Sequence, residues 1–288
     1  MATGSTRAKR RLGRHVRPIM ERAGLKAGDV ARMSKTSRDT VDRMLAGAHL
    51  PRYTTLVAIL TLLRATESEI AEATVLWERA NKTAVKIENA DVLAPSYLRF
   101  RMDEGEAKLE RTLDQQLIPG PFQLGGYAEE LGERAKPLTA GSGWTSAAAA
   151  ERDDRRGLLD REEDPLLVDS LIDESALYRI IGSRELMADQ LDVLAERAKK
   201  PNVTIRIVPF ERGSYGLHYG ALTLLQFPEA DEPISAYVEE HTGVRAVEDA
   251  EEVDRLVATW DAAAELALDP ERSAERIIEV RDTRYATR

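Results

Sequence analysis

The sequence predicts an α+β protein, in which an all-α domain precedes a mixed domain whose small sheet is covered by helices. Three observations support this fold class. Residues 25–47 place apolar side chains at helical spacing on either side of a short polar break, which is typical of two short helices joined by a tight turn. Residues 203–243 contain three β-rich runs separated by turns with Gly and Pro. The third observation is that the first part of the chain is basic, whereas the rest of the chain is acidic.

Charge is distributed unevenly along the 288 residues. Residues 1–64 hold 14 Lys and Arg against 4 Asp and Glu, whereas the whole chain holds 41 basic and 50 acidic residues. The rest of the chain is therefore strongly acidic. A basic nucleic-acid module joined to an acidic domain would show this asymmetry. We expect one domain at residues 1–84 and a second at residues 85–288.

Composition excludes several classes of protein. The chain has no cysteine, which rules out disulfides, thiol catalysis and thiolate zinc sites. It has no run of about 18 apolar residues, so we expect no membrane span. The basic N-terminus is not followed by the apolar stretch of a secretory signal. These features predict a cytoplasmic protein.

The first domain is predicted to be helical throughout. Its first helix runs from Leu12 to Ala23, and Pro18 should kink or split it. The basic residues 7–11 are either an arm that contacts phosphate or the minor groove, or a soluble tail. After the central helix pair, one helix begins where Thr54 could cap it. Another begins near Ser68, and it is either a linker helix or a dimer contact.

The central stretch, LKAGDVARMSKTSRDTVDRMLAG at 25–47, gathers basic residues where its second helix begins. Ser37 is placed as the N-cap of that helix. Lys35, Arg38 and Arg43 are available to a polyanion. This is the pattern of a DNA-reading helix-turn-helix.

This stretch resembles the helix-turn-helix of the lambda repressor and Cro type, also called Xre-type. The positions that match the family pattern are Leu25, Val30, Ala31, Val41 and Gly47. The chain departs from the family at Ala27, where a glutamine that braces a phosphate is frequent.

The resemblance implies that residues at the start and exposed face of the second helix read bases. These are Arg38, Asp39 and Asp42, and an arginine can make two hydrogen bonds to guanine. The two aspartates either accept from cytosine, or cap the helix and orient Arg38 and Arg43. The residues expected to contact phosphate are Lys35, Ser37, Thr40, Arg43, Arg52, Arg10 and Arg11.

The second domain is predicted to mix helices and strands. Helices are expected at 94–104, after Pro121, from Ser146 to before Pro165, at 185–200, and once or twice within 247–280. An extended piece is expected at 112–117, and strands at 203–210, 220–227 and 234–243. Residues 166–177 are expected to form a strand that enters a helix-capping acidic turn.

This domain resembles the uncharacterised C-terminal domain that follows Xre-type helix-turn-helices in actinobacterial regulators, including the WhiJ-like developmental regulators. The resemblance extends over residues 90–280. The matching blocks, in order, are IPGPFQLGGYA, LIDESALYRIIGS, QLDVLAERAKKPNVTIRIVP, ALTLLQF, YVEEHTG and ALDPERSAERI. Members of this family are often encoded beside a small partner protein, which implies regulation by such a partner.

The segment ERGSYGLHYGAL at 211–222 joins two of the predicted strands. Its glycines free the backbone, while Tyr215, His218 and Tyr219 offer aromatic and hydrogen-bonding surfaces. The segment is either part of a site for a small effector or a protein partner, or a long hairpin connection with incidental aromatic residues.

Together these features predict a sequence-specific transcriptional regulator that binds a double-stranded DNA operator as a homodimer. Its second domain would bind a partner protein or a small effector. The alternative is an antitoxin-like interaction protein that binds a small neighbouring protein and uses DNA binding for autoregulation. The sequence has no P-loop, G-x-S-x-G or H-E-x-x-H motif, so we expect no enzyme, no metal site and no cofactor.

Overall fold

The structure is a computed structural model that describes residues 7–82, 87, 90–135, 144–216, 220–240 and 243–285. Its contacts divide the chain into two compact units, Met1–Lys86 and Ile87–Arg288, which we call the N-terminal and C-terminal units. The sequence predicts this boundary between residues 84 and 85. No described helix combines the length and the apolar character that crossing a membrane requires.

The described residues of the N-terminal unit form helices around one apolar core. The helices are α1 (Arg7–Arg22), α2 (Ala27–Met33), α3 (Arg38–Leu45), α4 (Tyr53–Leu62) and α5 (Glu67–Lys82). Each of the five contributes buried side chains to the core, among them Leu12, Val16, Val30, Val41, Leu56, Leu60 and Leu76. The unit is all-α, as predicted from the helical spacing of its apolar residues.

Helix α1 is longer than predicted and continues through Pro18. Pro18 and Arg14 are both exposed, so water can bind the carbonyl group of Arg14 that the proline leaves without an amide donor. Upstream, Ala8 is buried, and this contact extends the helix to Arg7. The prediction that residues 7–11 form an arm or a tail is therefore wrong, since they are the first turns of α1.

The caps of α4 and α5 also differ from the predicted ones. Arg52 occupies the N-cap position of α4, and Thr54 lies inside the helix. Helix α5 begins after Thr66, whose hydroxyl accepts from the amide of Glu69 at 3.3 Å while Glu69 Oε2 accepts from the amide of Thr66 at 2.8 Å. This reciprocal capping box satisfies two amide donors at the start of the helix.

The C-terminal unit is a mixed sheet with helices, as predicted. Its helices are α6 (Pro95–Glu106), α7 (Gly125–Ala135), α8 (Trp144–Leu159), α9 (Ser175–Tyr178), α10 (Arg184–Arg197), α11 (Ala250–Leu266) and α12 (Pro270–Val280). Its strands are β1 (Leu109–Asp114), β2 (Leu167–Asp173), β3 (Val203–Val208), β4 (Leu222–Gln226), β5 (Ser235–Glu240) and β6 (Gly243–Val247). The fold class predicted from the sequence is thereby confirmed.

The described strands form one sheet in the order β3-β2-β1-β4-β5-β6. Strands β1, β2 and β3 pair in parallel, and the remaining neighbours pair antiparallel. Helices cover both faces. Helix α11 covers one face through Trp260 and Ala263, which pack with Leu113, Leu171 and Leu224. The opposite face packs against α6, α7, α8, α10 and α12.

Two strand predictions need correction. The extended piece expected at 112–117 is β1, which begins earlier, at Leu109, and includes the charged Glu110 and Arg111. The run expected at 234–243 continues into a hairpin, because β6 follows β5 and pairs with it antiparallel. Strand β6 is largely exposed until Val247, so the alternation of buried and exposed residues that marks a strand is weak there.

Candidate nucleic-acid interface

Helices α2 and α3 form a helix-turn-helix whose inner faces are apolar. Val30 and Ala31 of α2 are buried against Val41, Met44 and Leu45 of α3. This packing fixes which side of α3 faces the core, because side chains three and four positions apart lie on one face. The opposite side of α3 is left to solvent.

The turn between these helices is built from polar residues. Ser34 Oγ donates to the carbonyl of Val30 at 2.7 Å, and the amide of Thr36 donates to the carbonyl of Ala31 at 3.0 Å. Lys35 has φ of 54°, in the left-handed region, which reverses the chain in few residues. Its side chain is exposed.

Ser37 is the N-cap of α3, as the sequence predicts. Its side-chain oxygen accepts from the amide of Thr40 at 3.0 Å, and the two hydroxyl oxygens lie 2.8 Å apart. The hydrogen bond satisfies one of the amide groups that a helix start leaves without a partner. Ser37 and Thr40, two of the seven residues predicted to contact phosphate, therefore already bind each other at the start of α3.

The predicted base-reading residues lie together on the exposed face of α3. Arg38 Nε lies 3.3 Å from Asp42 Oδ2, and Arg43 Nη1 lies 3.6 Å from Asp39 Oδ2. The Arg38 side chain is 77% exposed. Both aspartates thus hold an arginine one helical turn away, which is the orienting role that the sequence left open beside base contact.

Helix α1 packs closely against the C-terminal end of α3. A Cβ atom on Gly13 would lie 2.5 Å from the carbonyl oxygen of Leu45, so the two backbones touch where Gly13 has no side chain. Gly47, with φ of 68°, ends α3 beside the backbone of Arg10. Arg17 Nη2 donates to the carbonyl of Leu45 at 3.3 Å. These contacts hold α3 in place.

The other predicted phosphate contacts lie on two further elements. Arg10 and Arg11 are partly buried on α1 and not on a separate arm, and Arg10 lies beside Gly47 at the end of α3. Arg52 is exposed at the start of α4. The sequence reading missed Arg17, whose role becomes visible only when α1 is placed against α3.

The comparisons with known proteins agree with this division. Residues 11–73 match a helix-turn-helix domain, and residues 97–279 match a domain of unknown function, DUF5753. The chain belongs to the DUF5753 family. The helix-turn-helix match indicates DNA binding, whereas the DUF5753 domain brings no assigned activity. Comparisons with curated proteins and with solved structures each found no match to this chain.

The predicted effector segment lies within the DUF5753 domain. Tyr215 is buried in the core under α11, and its hydroxyl donates to Asp173 Oδ2 at 2.9 Å. Burial, and then the negative charge of Asp173, raise the pKa of this hydroxyl. Tyr215 therefore does not present the open aromatic surface that the sequence suggested. His218 and Tyr219 lie outside the described residues.

The DUF5753 domain also contains a buried network of charges at α6 and α8. Arg101, only 1% exposed, contacts Glu104, Glu151 and Asp154. Arg155 Nη2 lies 2.6 Å from Glu104 Oε1. Within the described ranges, no group of three or more His, Cys, Asp or Glu residues could hold a metal ion.

Proposed function

We propose that the protein is a sequence-specific transcriptional regulator whose N-terminal unit binds operator DNA through α3. The observation that carries the proposal is the exposed face of α3, where Arg38 and Arg43 stand on a helix fixed to the core by α1 and α2. In helix-turn-helix proteins the second helix enters the major groove and its first residues contact base edges. Arg38 is the first residue of α3.

The intrahelical pairs are weak enough to be exchanged for DNA contacts. An exposed pair one helical turn apart contributes only about 0.3–0.5 kcal/mol. A bidentate contact of an arginine with guanine supplies about 1–3 kcal/mol of discrimination. Arg38 can therefore leave Asp42 for a base. Asp42, once released, and Asp39 would then repel nearby phosphates. They would therefore disfavour DNA sites that bring phosphates close to these two carboxylates.

Phosphate contacts would surround this helix. Lys35 in the turn and Arg52 at the start of α4 are exposed, and Arg43 lies on α3 itself. The hydroxyls of Ser37 and Thr40 lie at the α3 N-terminus, where the helix dipole favours an anion. Such contacts set the register and the affinity and carry little sequence information.

We further propose that this regulator is of the Xre type and binds as a homodimer. One helix of eight residues reaches few base pairs, and two copies would read half-sites about 34 Å apart. The DUF5753 domain would then bind an effector or a small partner protein and change operator binding. The support for this second role is that the chain has a large, separately packed unit in addition to the DNA-binding one.

Operator selection followed by footprinting tests the proposal. Random double-stranded DNA is selected on the full chain, and the enriched sequence is footprinted. We expect one enriched sequence with two symmetric protected half-sites. A chain that binds selected and scrambled DNA equally well at every salt concentration would contradict sequence-specific regulation. A single protected half-site with a monomeric complex would contradict the dimer.

A further inference from the structure

Strand β1 carries acidic residues in the middle of the sheet. Glu110, Thr112 and Asp114 alternate along the strand and therefore point to the same face, away from α11. Glu110 is fully buried. Buried carboxylates in a central strand are unusual unless a partner compensates their charge.

These side chains line a cavity of about 30 Å³ between the sheet and its helices. Strands β1, β4 and β5 form its floor through Thr112, Thr223 and Tyr237. Phe100 of α6, Arg155 of α8 and the turn at 119–121 form its roof. Gly120 has no Cβ atom, and one would lie 1.9 Å from Arg155 Nη1, so this glycine makes room for the guanidinium.

The carboxylates in the cavity lack the partners that buried acids normally have. Neither oxygen of Glu110 has a hydrogen-bond partner in the described part of the chain, and the same is true of Asp114 Oδ2. Arg155 Nη2 lies 3.5 Å from Glu110 Oε1 but only 2.6 Å from Glu104 Oε1. Arg155 is thus shared between two acids and held mainly by Glu104.

The surroundings of these two acids disfavour their charged forms and so raise their pKa values. Burial, followed by the charge of Glu104, raises the pKa of Glu110 well above its usual range. Burial, followed by the charge of Glu239, raises the pKa of Asp114 to about 7. The charged groups that act on this pair from the elements around it are Arg101 and Glu104 of α6, Arg155 of α8 and Glu239 of β5.

We propose that this acidic cavity of the C-terminal unit binds the protonated primary amine of a small effector. An ammonium group has three N–H donors, and in their ionised form Glu110 and Asp114 offer three acceptor oxygens that have no hydrogen-bond partner among the described residues. The cavity volume suits an ammonium and the carbon that bears it, and it excludes a bulky head group. The apolar lining residues Phe100, Pro119, Pro121 and Val244 would contact that carbon.

This inference rests on the effector-binding role proposed for the DUF5753 domain, and it can fail separately from operator binding. The test uses the full chain and methylammonium chloride as the probe, with sodium chloride and tetramethylammonium chloride at the same ionic strength. We expect methylammonium alone to raise the unfolding temperature saturably at pH 8. The rise should be smaller at pH 6, because protons then compete for Asp114 and Glu110.

Neutral variants identify the site. Glu110→Gln and Asp114→Asn should each weaken methylammonium binding by about tenfold or more in calorimetric titration, the loss expected for a hydrogen bond to a charged group. Glu110→Gln should also raise stability without the probe, since burial destabilises the ionised form of this carboxyl group and glutamine does not ionise. Glu162→Gln, at an exposed site before β2, is the matched control and should bind like the parent chain.

Three results would overturn the inference. One is equal stabilisation of the parent chain by methylammonium and sodium. The second is unchanged methylammonium binding in both Glu110→Gln and Asp114→Asn. The third is saturable binding of magnesium or calcium that both variants abolish, which would make the site a metal site. Operator binding measured on the same samples shows whether the DNA-binding role stands or fails independently.

Discussion

Arginine–carboxylate pairs occur in two opposite settings in this protein. On α3, Arg38 pairs with Asp42 in solvent, and its side chain is 77% exposed. In the C-terminal unit, Arg101 is 1% exposed and binds Glu104 and Glu151. Water screens the first pair, so its arginine can exchange partners at little cost. The buried arginine cannot leave without stranding charges, so the same chemistry is available for the proposed DNA recognition in one unit and is structural in the other.

The largest effect is expected from removing the buried arginine. Arg101→Ala removes the guanidinium that joins Glu104 to Glu151 and leaves these buried acids with Arg155 and Arg152; breaking a buried pair costs about 3–5 kcal/mol. The loss of unfolding free energy is measured by urea unfolding that is monitored with a probe in the C-terminal unit.

Arg245→Ala is the matched control for this prediction. Arg245 pairs with Glu240 and Glu252 at an exposed site, and its loss should cost less than about 1 kcal/mol. Equal losses in the two variants would show that burial does not separate the two kinds of pair.

The next effect concerns how α3 is held. Gly13→Ala would place a Cβ atom 2.5 Å from the carbonyl oxygen of Leu45, and overpacking of this kind costs about 1–3 kcal/mol. Thermal unfolding of the N-terminal unit should show the loss, and operator affinity should fall with it.

Gly28→Ala is a control within the same unit. A Cβ atom there meets nothing within 4 Å, and alanine loses less backbone entropy on folding than glycine. We expect a neutral or stabilised protein. If Gly13→Ala were equally well tolerated, the close contact between α1 and α3 would not support the helix.

A third test separates base contacts from phosphate contacts on the exposed face of α3. Arg38→Ala should reduce the ratio of operator to scrambled-DNA affinity by a factor corresponding to about 1–3 kcal/mol. Arg43→Ala should weaken binding to both DNAs alike and reduce the dependence on salt. Fluorescence anisotropy at several salt concentrations measures both, and an unchanged ratio for Arg38→Ala contradicts its assignment as a base reader.

The smallest effect is expected from an exposed ion pair that also caps a helix. Arg22 donates to both oxygens of Glu69 at 2.6 and 2.8 Å, which lowers the pKa of Glu69 to about 2. Because the pKa is lower in the folded state, the stabilisation is complete above about pH 4.5 and is lost as the pH falls toward 2. Glu69→Gln should therefore lower the unfolding temperature slightly at pH 7 and have progressively less effect at acidic pH.

Glu78→Gln on the exposed side of α5 is the control for the acidic range. This substitution should change the unfolding temperature only slightly, and by the same amount at pH 7 and at acidic pH. A Glu69→Gln effect that grows on acidification would contradict the assigned direction of the pKa shift.

Local patterns explain why much of the fold could be predicted. The helical spacing of Val30, Val41 and Met44 identifies α2 and α3, and Ser37 marks the start of α3 by a hydrogen bond three residues away. The β-rich runs of residues 203–227 became β3 and β4 in the same way. In each case the signal lies within one element.

The candidate sites were harder to predict, since they depend on contacts between distant residues. Arg10 belongs to a helix because α1 packs against the end of α3, and Tyr215 is buried because it reaches Asp173 of β2. Strand β1 was misplaced in the prediction because its charged residue Glu110 does not resemble a buried strand residue. The identity of a charged residue does not by itself predict whether its side chain will be buried.

The sequence by itself determined the helix-turn-helix, the α+β class and the charge asymmetry, because periodicity, capping and composition are local or additive properties. Only the tertiary structure decided which arginines are solvated and which are fixed. Arg101 and Glu151 lie fifty residues apart in the chain and meet only when α6 packs against α8. The pairing on α3 joins residues one turn apart, so there the helix alone brings Arg38 to Asp42.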